Sequence, residues 1–465
     1  MQRPKYERLY KRKRDTVLRP ESFGGIAFNP ENGTTLELDE TAFRLLELAD
    51  GRTTLSKVAS RIGREFDTVI PQSDVQELVE RLLEHRFLFV SETHDQPSLP
   101  PGNAPFVPRF LPRAPCPLPP TYLSAPTTVH LSLTEACNLD CPGCYVVKSE
   151  EPPLDTPRVE QLISELAEMK VFQLAIGGGE PFLRKDLGHL VRYARQRGLV
   201  PNVTTNGTLL TRERLAEIRG FVGQIQLSLN GYDAESHEAH RTPRSFEKTL
   251  SAMKLLREMD MAFGANSLVT RGSDFSRTAR LAIEQGARQV NALRPKPAAN
   301  DSEWFHRYSP LPGELIKLRR ELDRLTLEYP EVRFTVDSAL VFLMDDLTSD
   351  ELQAHAIYGC DAGVRSIAVR ANGQVYPCSQ FSEREFCAGN VTEAGLGSIW
   401  REAAVLWRFR KMTPKLKGKC KVCSVRDYCK GCRRIAHFVA GDFYAEDSGC
   451  LRAMGEQAAI EDQAK

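Results

Sequence analysis

The chain has 465 residues, 41% of them hydrophobic, and this length suggests two to four domains with a large core. Lys and Arg number 62 against 61 Asp and Glu, so no overall field favours a nucleic acid or a membrane surface. The sequence has no run of eighteen apolar residues and no signal-peptide pattern at its start, so we expect a cytoplasmic protein. In a reducing compartment, 12 cysteines favour metal ligands over disulfides.

The first predicted domain covers residues 1–95. The segment FGGIAFNPENGTTLEL predicts two short strands that turn at Asn32 and Gly33, the commonest short hairpin signal. Three amphipathic helical stretches follow, with Ser73 as the N-cap of the third, and FLFV predicts a closing strand. These elements together predict a small winged-helix-like module. The basic residues 11–14 are expected to form a solvated arm.

A linker is predicted next, at residues 96–126. Eleven prolines lie within residues 91–126. Proline breaks helices and inner strands, so this segment is expected to be a semi-rigid spacer. Cys116 stands among the prolines and is expected to be a free thiol.

Alternating apolar runs and amphipathic helical stretches dominate residues 127–330. Strand–helix alternation with short loops predicts βα units and a parallel sheet, open or closed into a barrel. Six units can be counted, so we predict an α/β fold with a partial (β/α)6 barrel, followed by a Cys-rich iron–sulfur domain at residues 355–465. The six apolar runs are TVHLSLT, VFQLAIGG, VPNVTTN, GQIQLSLN, AFGANSLV and ARQVNAL.

Three cysteines, Cys137, Cys141 and Cys144, directly follow the first apolar run. Parallel α/β folds place their functional sites at the carboxyl ends of the strands, where this loop is expected to lie. Three thiolates in one loop can hold three irons of a cubane and leave the fourth iron open to another ligand. A zinc site would need a fourth protein ligand that the loop does not supply.

This CxxxCxxC loop, with an aromatic residue after it, resembles the signature of the radical SAM superfamily. The sequence GGGEP after the second run is similar to the superfamily's GGEP element, which binds the amino group of S-adenosylmethionine (SAM). The resemblance implies that Arg241 pairs with the SAM carboxylate, although a solvated helix-end charge is an alternative, and Asn230 stands where many relatives have Asp. The cofactor-binding residues implied in this way are Tyr145, Gly178, Gly179, Glu180, Asn206, Ser228, Asn230 and Arg241.

A second group of cysteines, from position 360 onward, closely resembles the SPASM domain, which holds two auxiliary 4Fe–4S clusters. The resemblance assigns Cys420, Cys423, Cys429 and Cys450 to one cluster. It assigns Cys360, Cys378 and Cys432 to the other, with Cys387 as the candidate for the fourth ligand. A zinc ribbon is the alternative for the CxxC pairs.

The first domain resembles the PqqD-type peptide-recognition element of ribosomal peptide maturases. Such modules take the leader of a precursor peptide as an extra strand on a sheet edge, so that backbone hydrogen bonds give affinity. A winged helix on DNA is the alternative, but the predicted third helix carries Asp74, Glu77, Glu80 and Glu84, which would repel phosphates.

The three resemblances together imply a peptide maturase with one SAM-binding 4Fe–4S cluster and two auxiliary clusters. In this family, reductive cleavage of SAM yields a radical that removes a hydrogen atom from the peptide. We therefore expect an oxidative cross-link, thioether or carbon–carbon, with a donor such as flavodoxin or ferredoxin. The alternatives are a sulfatase-maturase-type enzyme acting on a folded protein or a small molecule, a redox-neutral epimerase, and a redox-sensing DNA-binding regulator. Arg294, His306 and Tyr308 lie near the last predicted barrel strand, and by position alone they are candidates for an acid, base or hydrogen donor that acts on the substrate.

Overall fold

The computed structural model describes residues 5–91, 122–298, 302–344 and 358–454. The chain divides into two compact units, Met1–Ser124 and Ala125–Lys465. Cys116 and most of the predicted linker lie outside the described residues. Within the described part, no helix is both long and apolar enough to cross a membrane.

The first unit contains two small antiparallel sheets and three helices. One sheet has the order β2-β3-β4 and the other the order β5-β1-β6. The predicted hairpin (β3 and β4), the three helices and the closing strand are confirmed. The elements are β1 (Leu9–Arg12), β2 (Val17–Glu21), β3 (Gly24–Phe28), β4 (Thr35–Asp39), α1 (Glu40–Leu48), β5 (Asp50–Thr54), α2 (Leu55–Glu65), α3 (Gln72–Glu84) and β6 (Leu88–Ser91).

Two expectations for this unit are wrong. The basic start is not a solvated arm, because Leu9–Arg12 forms the central strand of the second sheet and pairs with both β5 and β6. Leu9 and Tyr10 are buried and Lys11 and Arg12 half-buried, so this strand lacks the apolar–polar alternation that would predict it from sequence. Ser73 is not an N-cap, because α3 begins at Gln72 and Pro71 holds the capping position. Proline at that point starts the helix without a side-chain cap.

A buried ion pair lies beside the apolar core of the first unit. Arg19 Nε donates to Glu21 Oε1 at 2.7 Å, and both side chains are at most 3% exposed. Glu21 also accepts from the backbone N–H of Ser124 at 2.7 Å, which ties the end of the unit to strand β2. Burial raises the pKa of Glu21, and the neighbouring Arg19 opposes that change.

The second unit is built on a ten-stranded sheet in the order β13-β12-β11-β10-β9-β8-β7-β14-β15-β16. The first seven strands in sequence are parallel and reproduce the six predicted βα units in order, with β13 as a seventh. Its strands are β7 (Thr128–Thr134), β8 (Gln173–Gly178), β9 (Val200–Thr205), β10 (Gln224–Ser228), β11 (Phe263–Leu268), β12 (Gln289–Leu293) and β13 (Arg333–Val336).

Helices connect these strands and bury one apolar stripe each. In the first of them Asp155 caps the amino end by accepting from Arg158 N–H at 3.0 Å. Its buried residues recur at helical spacing, as in Val159, Leu162 and Leu166. The helices are α4 (Thr156–Glu168), α5 (Leu187–Gln196), α6 (Arg212–Ile218), α7 (Ala234–Glu238), α8 (Ser245–Glu258), α9 (Phe275–Glu284), α10 (Ser302–Tyr308) and α11 (Pro312–Glu328).

The Cys-rich region continues the same sheet. Its first strand pairs in parallel with β7, with Ser366 opposite Thr128 and Val369 opposite Leu131. The parallel sheet is therefore an unclosed partial barrel whose open side is extended by a short antiparallel hairpin. The elements are β14 (Ser366–Val369), β15 (Gln374–Tyr376), β16 (Gly389–Asn390), α12 (Leu396–Glu402), α13 (Ala404–Arg410), α14 (Gly418–Val422), α15 (Arg426–Cys429), α16 (Arg433–Ala440) and α17 (Leu451–Met454).

Replacement of Arg19 by Met is expected to destabilise the first unit by about 3 kcal/mol, because Glu21 would be left buried without its cation. Hydrogen exchange of peptides spanning β2 to β4 in the full chain measures this. The matched control is Lys13→Met, which removes the cation from a more exposed pair with Glu31. It should change the free energy of opening measured by hydrogen exchange by less than about 1 kcal/mol. Equal exchange in the two variants would contradict the prediction.

Candidate active site

The three-cysteine loop leaves the carboxyl end of β7. Cys137 and Cys144 are exposed and Cys141 is half-buried, and backbone and side-chain donors surround their sulfurs. Cys137 Sγ accepts from the N–H of Leu139 at 3.4 Å and lies 3.9 Å from Asn206 Nδ2. These donors suit a thiolate, because hydrogen bonds to the sulfurs tune an iron–sulfur cluster.

An aromatic side chain supports this loop. At Gly143 the backbone has φ +67°, and a Cβ there would lie 2.2 Å from the ring of Trp304 in α10. Only glycine allows both that conformation and that approach. Trp304 in turn packs edge-on against His240 and next to Tyr308, so the loop rests on a rigid aromatic group.

The GGGEP segment is joined to the cysteine loop by its backbone. Gly179 N–H donates to Thr134 O at 2.7 Å and Glu180 N–H donates to Ala136 O at 2.9 Å. A Cβ on Gly179 would lie 2.0 Å from the Ala136 carbonyl oxygen, whereas a Cβ on Gly177 would meet nothing within 4 Å. Gly178, with φ +113°, likewise approaches Thr134. Gly178 and Gly179 therefore allow the backbone of this segment to approach the cysteine loop closely. No described atom lies within 4 Å of a Cβ on Gly177.

Glu180 is completely buried and serves its own chain. Its carboxylate accepts from Phe182 N–H at 3.1 Å, Thr205 Oγ1 at 2.8 Å and Asn206 N–H at 2.8 Å. These bonds join the carboxyl ends of β8 and β9. Burial raises the pKa of Glu180 despite these donors. The sequence reasoning expected an ammonium ligand for this carboxylate but did not find its structural role.

Asn206 links two loops of the site. Its Nδ2 donates to Asn138 Oδ1 at 3.0 Å, and its Oδ1 accepts from Thr208 N–H at 2.9 Å. Thr208 Oγ1 accepts in turn from Asn138 Nδ2 at 2.8 Å. The loop after β9 is therefore tied to the cysteine loop between Cys137 and Cys141.

Unpaired donors gather beyond β10. Asn230 is buried, and its Oδ1 accepts from Leu268 N–H at 3.2 Å while its Nδ2 has no partner among the described residues. Arg241 Nη1 lies 3.9 Å from Cys141 Sγ, and its Nε is also unpaired there. Burial, with Arg241 beside it, lowers the pKa of His237 to about 3, so that this imidazole is neutral. Ser228, the last residue of β10, is half-buried nearby.

Tyr145 connects the two cysteine regions. It is 40% exposed, and its hydroxyl interacts with Ser379, the neighbour of Cys378. Burial raises the pKa of this phenol, with Cys144 as the next cause. The aromatic residue of the first motif therefore faces the second cysteine set.

A backbone hydrogen bond links the two sets of cysteines that the resemblance assigned to separate clusters in the C-terminal region. Cys360 N–H donates to Cys429 O at 2.9 Å, which binds the two sets together. Cys360, Cys378 and Cys387 all pack against one apolar cluster that includes Phe386. Within the described ranges, no three Cys, His, Asp or Glu side chains converge on one point as they would around a single metal ion.

Cys387 has surroundings of its own. Its Sγ donates to Gly389 O at 3.5 Å. It also lines a cavity of about 570 Å³ with Arg370, Tyr376 and Arg384. The thiol is half-buried, so it can reach both the apolar cluster and this open space.

Asp447 is the centre of the buried polar network of this region. Its two oxygens accept from Arg294 Nη1 and Nη2, both at 2.8 Å, and also from Cys432 N–H at 2.8 Å and Gly449 N–H at 3.2 Å. Its own backbone N–H donates to the sulfur of Cys420. Burial opposes ionisation of Asp447, but Arg294 outweighs it and lowers the pKa. A Cβ on Gly449 would lie 2.2 Å from Arg294, so glycine admits the guanidinium.

A second buried ion pair lies beside the first. Lys296 Nζ contacts the Asp337 carboxylate and donates to Arg294 O at 3.3 Å. Burial alone would lower the pKa of Lys296, but Asp337 and the nearby Cys432 and Cys378 raise it. Two cations that follow β12 therefore face the thiols assigned to one auxiliary cluster. Sequence reasoning named Arg294 by position only and missed Lys296, because their acidic partners lie far away in sequence.

Sequence profiles of three families match the chain. That of the radical SAM superfamily covers residues 131–280, that of the SPASM iron–sulfur cluster-binding domain residues 360–424, and that of coenzyme PQQ synthesis protein D (PqqD) residues 24–88. The AdoMet-dependent heme synthase of Methanosarcina barkeri is 30% identical over 352 residues, 72% of this chain and 99% of that protein. The mycofactocin maturase MftC of Mycobacterium ulcerans is 29% identical over 349 residues, 73% of this chain and 92% of that protein.

Solved structures share the fold. The SAM-bound SuiB of Streptococcus suis has a TM-score of 0.70 at 18% identity, covering 95% of this chain and 99% of that chain. SuiB bound to its precursor peptide SuiA has a TM-score of 0.67 with the same coverage.

The chain thus belongs to the radical SAM superfamily. Within it, this enzyme combines a SPASM domain with a PqqD domain and is homologous to peptide-modifying maturases. Its cofactors are accordingly SAM and iron–sulfur clusters, including the auxiliary clusters of the SPASM domain.

The residues present fit these groups. Donors from Asn206 and Arg241 approach two of the three loop sulfurs, as they would around thiolate ligands. Buried unpaired donors on Asn230 and Arg241 match the carboxylate of an amino acid such as SAM. Gly177 lies near the carboxyl end of β8, where a Cβ would meet no described atom within 4 Å.

The Gly177 and Gly179 positions give a matched pair of substitutions. In Gly179→Ala the new methyl group would lie 2.0 Å from the Ala136 carbonyl, so the cysteine loop must shift and the SAM-binding cluster should be lost, about one third of the iron if three clusters are present. Gly177→Ala should keep the iron, because nothing lies within 4 Å, but weaken SAM binding. Iron analysis and the SAM-dependent change in the electron paramagnetic resonance (EPR) spectrum separate the two. Full iron in Gly179→Ala would contradict this reading.

Replacement of Arg294 by Met should destabilise the second unit by about 3–5 kcal/mol and lower the auxiliary iron content, because Asp447 would be left as an unpaired buried charge. The double variant Arg294→Met/Asp447→Asn should recover part of both losses, because the charge is then gone while an acceptor remains for Cys432. Tm and iron per chain measure these effects. Arg280→Met, which breaks an exposed pair with Glu328, is the control and should change little. No recovery in the double variant would contradict the pairing argument.

Proposed function

We propose that this enzyme installs an oxidative intramolecular cross-link, thioether or carbon–carbon, in a ribosomally synthesised precursor peptide. The homology to MftC, a mycofactocin maturase, supports a peptide substrate. The fold shared with SuiB, which was solved with the precursor peptide SuiA, supports it as well.

One observation carries the oxidative part of this proposal. Arg294 directly follows β12, at the same edge of the sheet from which the three-cysteine loop leaves β7. Its guanidinium holds Asp447, and Asp447 holds the backbone of Cys432. These bonds tie the backbone of Cys432, a proposed auxiliary-cluster ligand, to the edge of the sheet at which SAM is proposed to react, which supports a nearby cluster. A nearby electron acceptor is what an oxidative bond formation requires.

The residues take the following parts. Cys137, Cys141 and Cys144 hold the SAM-binding cluster, and the unpaired donors of Asn230 and Arg241 orient SAM. When bound, SAM and the reduced cluster supply a radical that removes a hydrogen atom from the substrate. The further SAM contacts proposed are Tyr145, Gly178, Gly179, Glu180, Asn206 and Ser228, of which Gly178, Gly179 and Glu180 act by shaping the loop.

The auxiliary ligand sets are proposed as the sequence assigned them. Cys420, Cys423, Cys429 and Cys450 hold one cluster, and Cys360, Cys378 and Cys432 hold the other. Cys387 is the proposed fourth ligand, because it packs against the same apolar cluster as Cys360 and Cys378. If Cys387 does not ligate, the free iron position is open to a substrate thiolate, which favours a thioether product.

The first unit is proposed to bind the leader of the precursor peptide. Its two three-stranded sheets have edge strands that can accept a further strand by backbone hydrogen bonds. The acidic residues of α3, which are Asp74, Glu77, Glu80 and Glu84, are all exposed, so this helix is unsuited to DNA. The electron donor, flavodoxin or ferredoxin, and a cytoplasmic location are part of the same proposal.

A small-molecule substrate is the second candidate. The heme synthase of Methanosarcina barkeri aligns over nearly its whole length with this chain. That alignment leaves 28% of this chain without a counterpart, and a PqqD domain matches residues 24–88. The additional module favours the peptide.

The proposal is tested by anaerobic reconstitution of the full chain with iron and sulfide. Wild type should hold about twelve irons per chain, as expected for three cubanes, and Cys141→Ala about eight. With SAM and dithionite, wild type should form 5′-deoxyadenosine, and Cys141→Ala should not. Precursor peptides encoded in the same genome should lose two hydrogen atoms only when their leader is attached.

The other outcomes discriminate the alternatives. About four irons with SAM cleavage would exclude the auxiliary clusters and the oxidative cross-link. Change of a porphyrin substrate with no change of any leader-bearing peptide would favour the heme-synthase type of reaction. An unchanged peptide mass with inverted stereochemistry would establish epimerisation.

A further inference from the structure

Residues 411–426 carry an unusual charge pattern. The chain as a whole has a formal net charge of +1, yet this stretch has six cations and no carboxylate. Two of the proposed auxiliary-cluster ligands, Cys420 and Cys423, lie inside it. The cations are Lys411, Lys415, Lys417, Lys419, Lys421 and Arg426.

The cations and the two cysteines lie in one largely exposed segment of the chain. Lys419, Cys420 and Lys421 are successive residues of the short helix α14, and Cys423 follows it. Both cysteines are half-buried, whereas Cys429 and Cys450, the other proposed ligands of the same cluster, are each only 8% exposed. This side of the cluster site is therefore the side that an external protein can approach.

The exposed residues of this segment are mainly long cationic side chains, with one apolar residue among them in sequence. Lys415, Lys417, Lys419, Lys421 and Arg426 are all exposed, and the side chain of Val422 is 80% exposed between them. We call these five cations and Val422 the cationic face. Exposed charges around a small apolar centre are typical of transient protein interfaces.

Nearby carboxylates only partly neutralise it. Asp442 pairs with Lys417 at 2.7 Å, and Asp427 lies 3.9 Å from Arg426. Glu446 is engaged by the backbone N–H of Lys419 at 2.6 Å. Among the described residues, five exposed cations thus stand against these three carboxylates, which leaves an excess of positive charge.

We propose that the cationic face is the docking surface for an acidic electron-carrier protein of the flavodoxin or ferredoxin class. The inference rests on the proposed function, because that function makes Cys420 and Cys423 cluster ligands. Charge complementarity selects the partner: an acidic carrier is attracted by the field, and the half-buried ligands bring its redox group near the cluster. The interface is small, as is usual for electron-transfer encounters.

The electrons of the reaction balance with this partner. A cross-link removes two hydrogen atoms from the peptide. One leaves as a hydrogen atom in 5′-deoxyadenosine. The other leaves as a proton, which passes to water, and as an electron, which the docked carrier takes up in its oxidised form. Cleavage of the C–S bond of SAM consumes one electron, which the reduced carrier supplies at the same face, so one electron enters and one leaves in each turnover.

Charge reversal on α14 tests the docking surface. The holoenzyme variant Lys419→Glu/Lys421→Glu should react with reduced acidic flavodoxin at least about tenfold more slowly at low ionic strength, because steering is lost. The difference should disappear at high salt, where exposed charges are screened. Stopped-flow absorbance of the clusters measures the rate. The neutral variant Lys419→Gln/Lys421→Gln should give an intermediate loss.

Two controls keep the result specific. Lys248→Glu/Lys254→Glu makes the same change of charge on exposed positions of α8, on the outside of the barrel, and should leave the rate near that of wild type. Dithionite needs no docking, so 5′-deoxyadenosine formation with dithionite should be equal in all variants, and iron content shows that the clusters are intact. Formation of 5′-deoxyadenosine with dithionite therefore tests SAM cleavage, which belongs to the proposed function, independently of carrier docking.

The proposal is overturned if the α14 reversal leaves the flavodoxin rate unchanged, or if the α8 reversal slows it equally. Unchanged flavodoxin kinetics together with a weaker affinity for a leader-bearing peptide would assign the cationic face to the peptide instead. If iron is lost in the Glu variant, the Gln variant with full iron decides between these outcomes.

Discussion

The buried carboxylate of Asp447 is the contact on which the arrangement of the reactive region depends. It accepts hydrogen bonds from Arg294 on the barrel and from the backbone beside one set of cysteines, and its own amide reaches Cys420 of the other set. A buried charge is tolerated only when its partners surround it, so these elements cannot separate without a large loss of stability. Cys420 and Cys432, proposed ligands of two different clusters, are thereby held in one geometry with the barrel.

Much of this organisation could be predicted from sequence, because its signals are local. The six apolar runs became β7 to β12 in order, since each combines strand-forming residues with turn residues at both ends. Cys137, Cys141 and Cys144 could be recognised because one loop supplies all three. The hairpin of β3 and β4 was predicted from Asn32 and Gly33, but the loop between the two strands runs from Asn29 to Thr34, and only Gly33 in it has a positive φ.

The remainder depends on contacts between residues far apart in sequence. Lys296 carries no local signal, and its importance follows only from its place beside Asp337 and the thiols of the C-terminal region. Strand β1 is short and basic, and its position between β5 and β6 makes it a strand. Glu180 was expected to face a ligand, but its three hydrogen bonds to the chain depend on strand ends that meet only in the folded sheet.

The pairing of β7 with β14 has a consequence for biosynthesis. Thr128 lies opposite Ser366, 238 positions further along the chain. The strand that carries the three-cysteine loop leaves the ribosome early, but one of its edges stays open until most of the polypeptide has been made. The sheet around the three-cysteine loop is thus completed only late in synthesis. If translation stops before β14, the edge of β7 stays unpaired and can pair with strands of other chains, which favours aggregation.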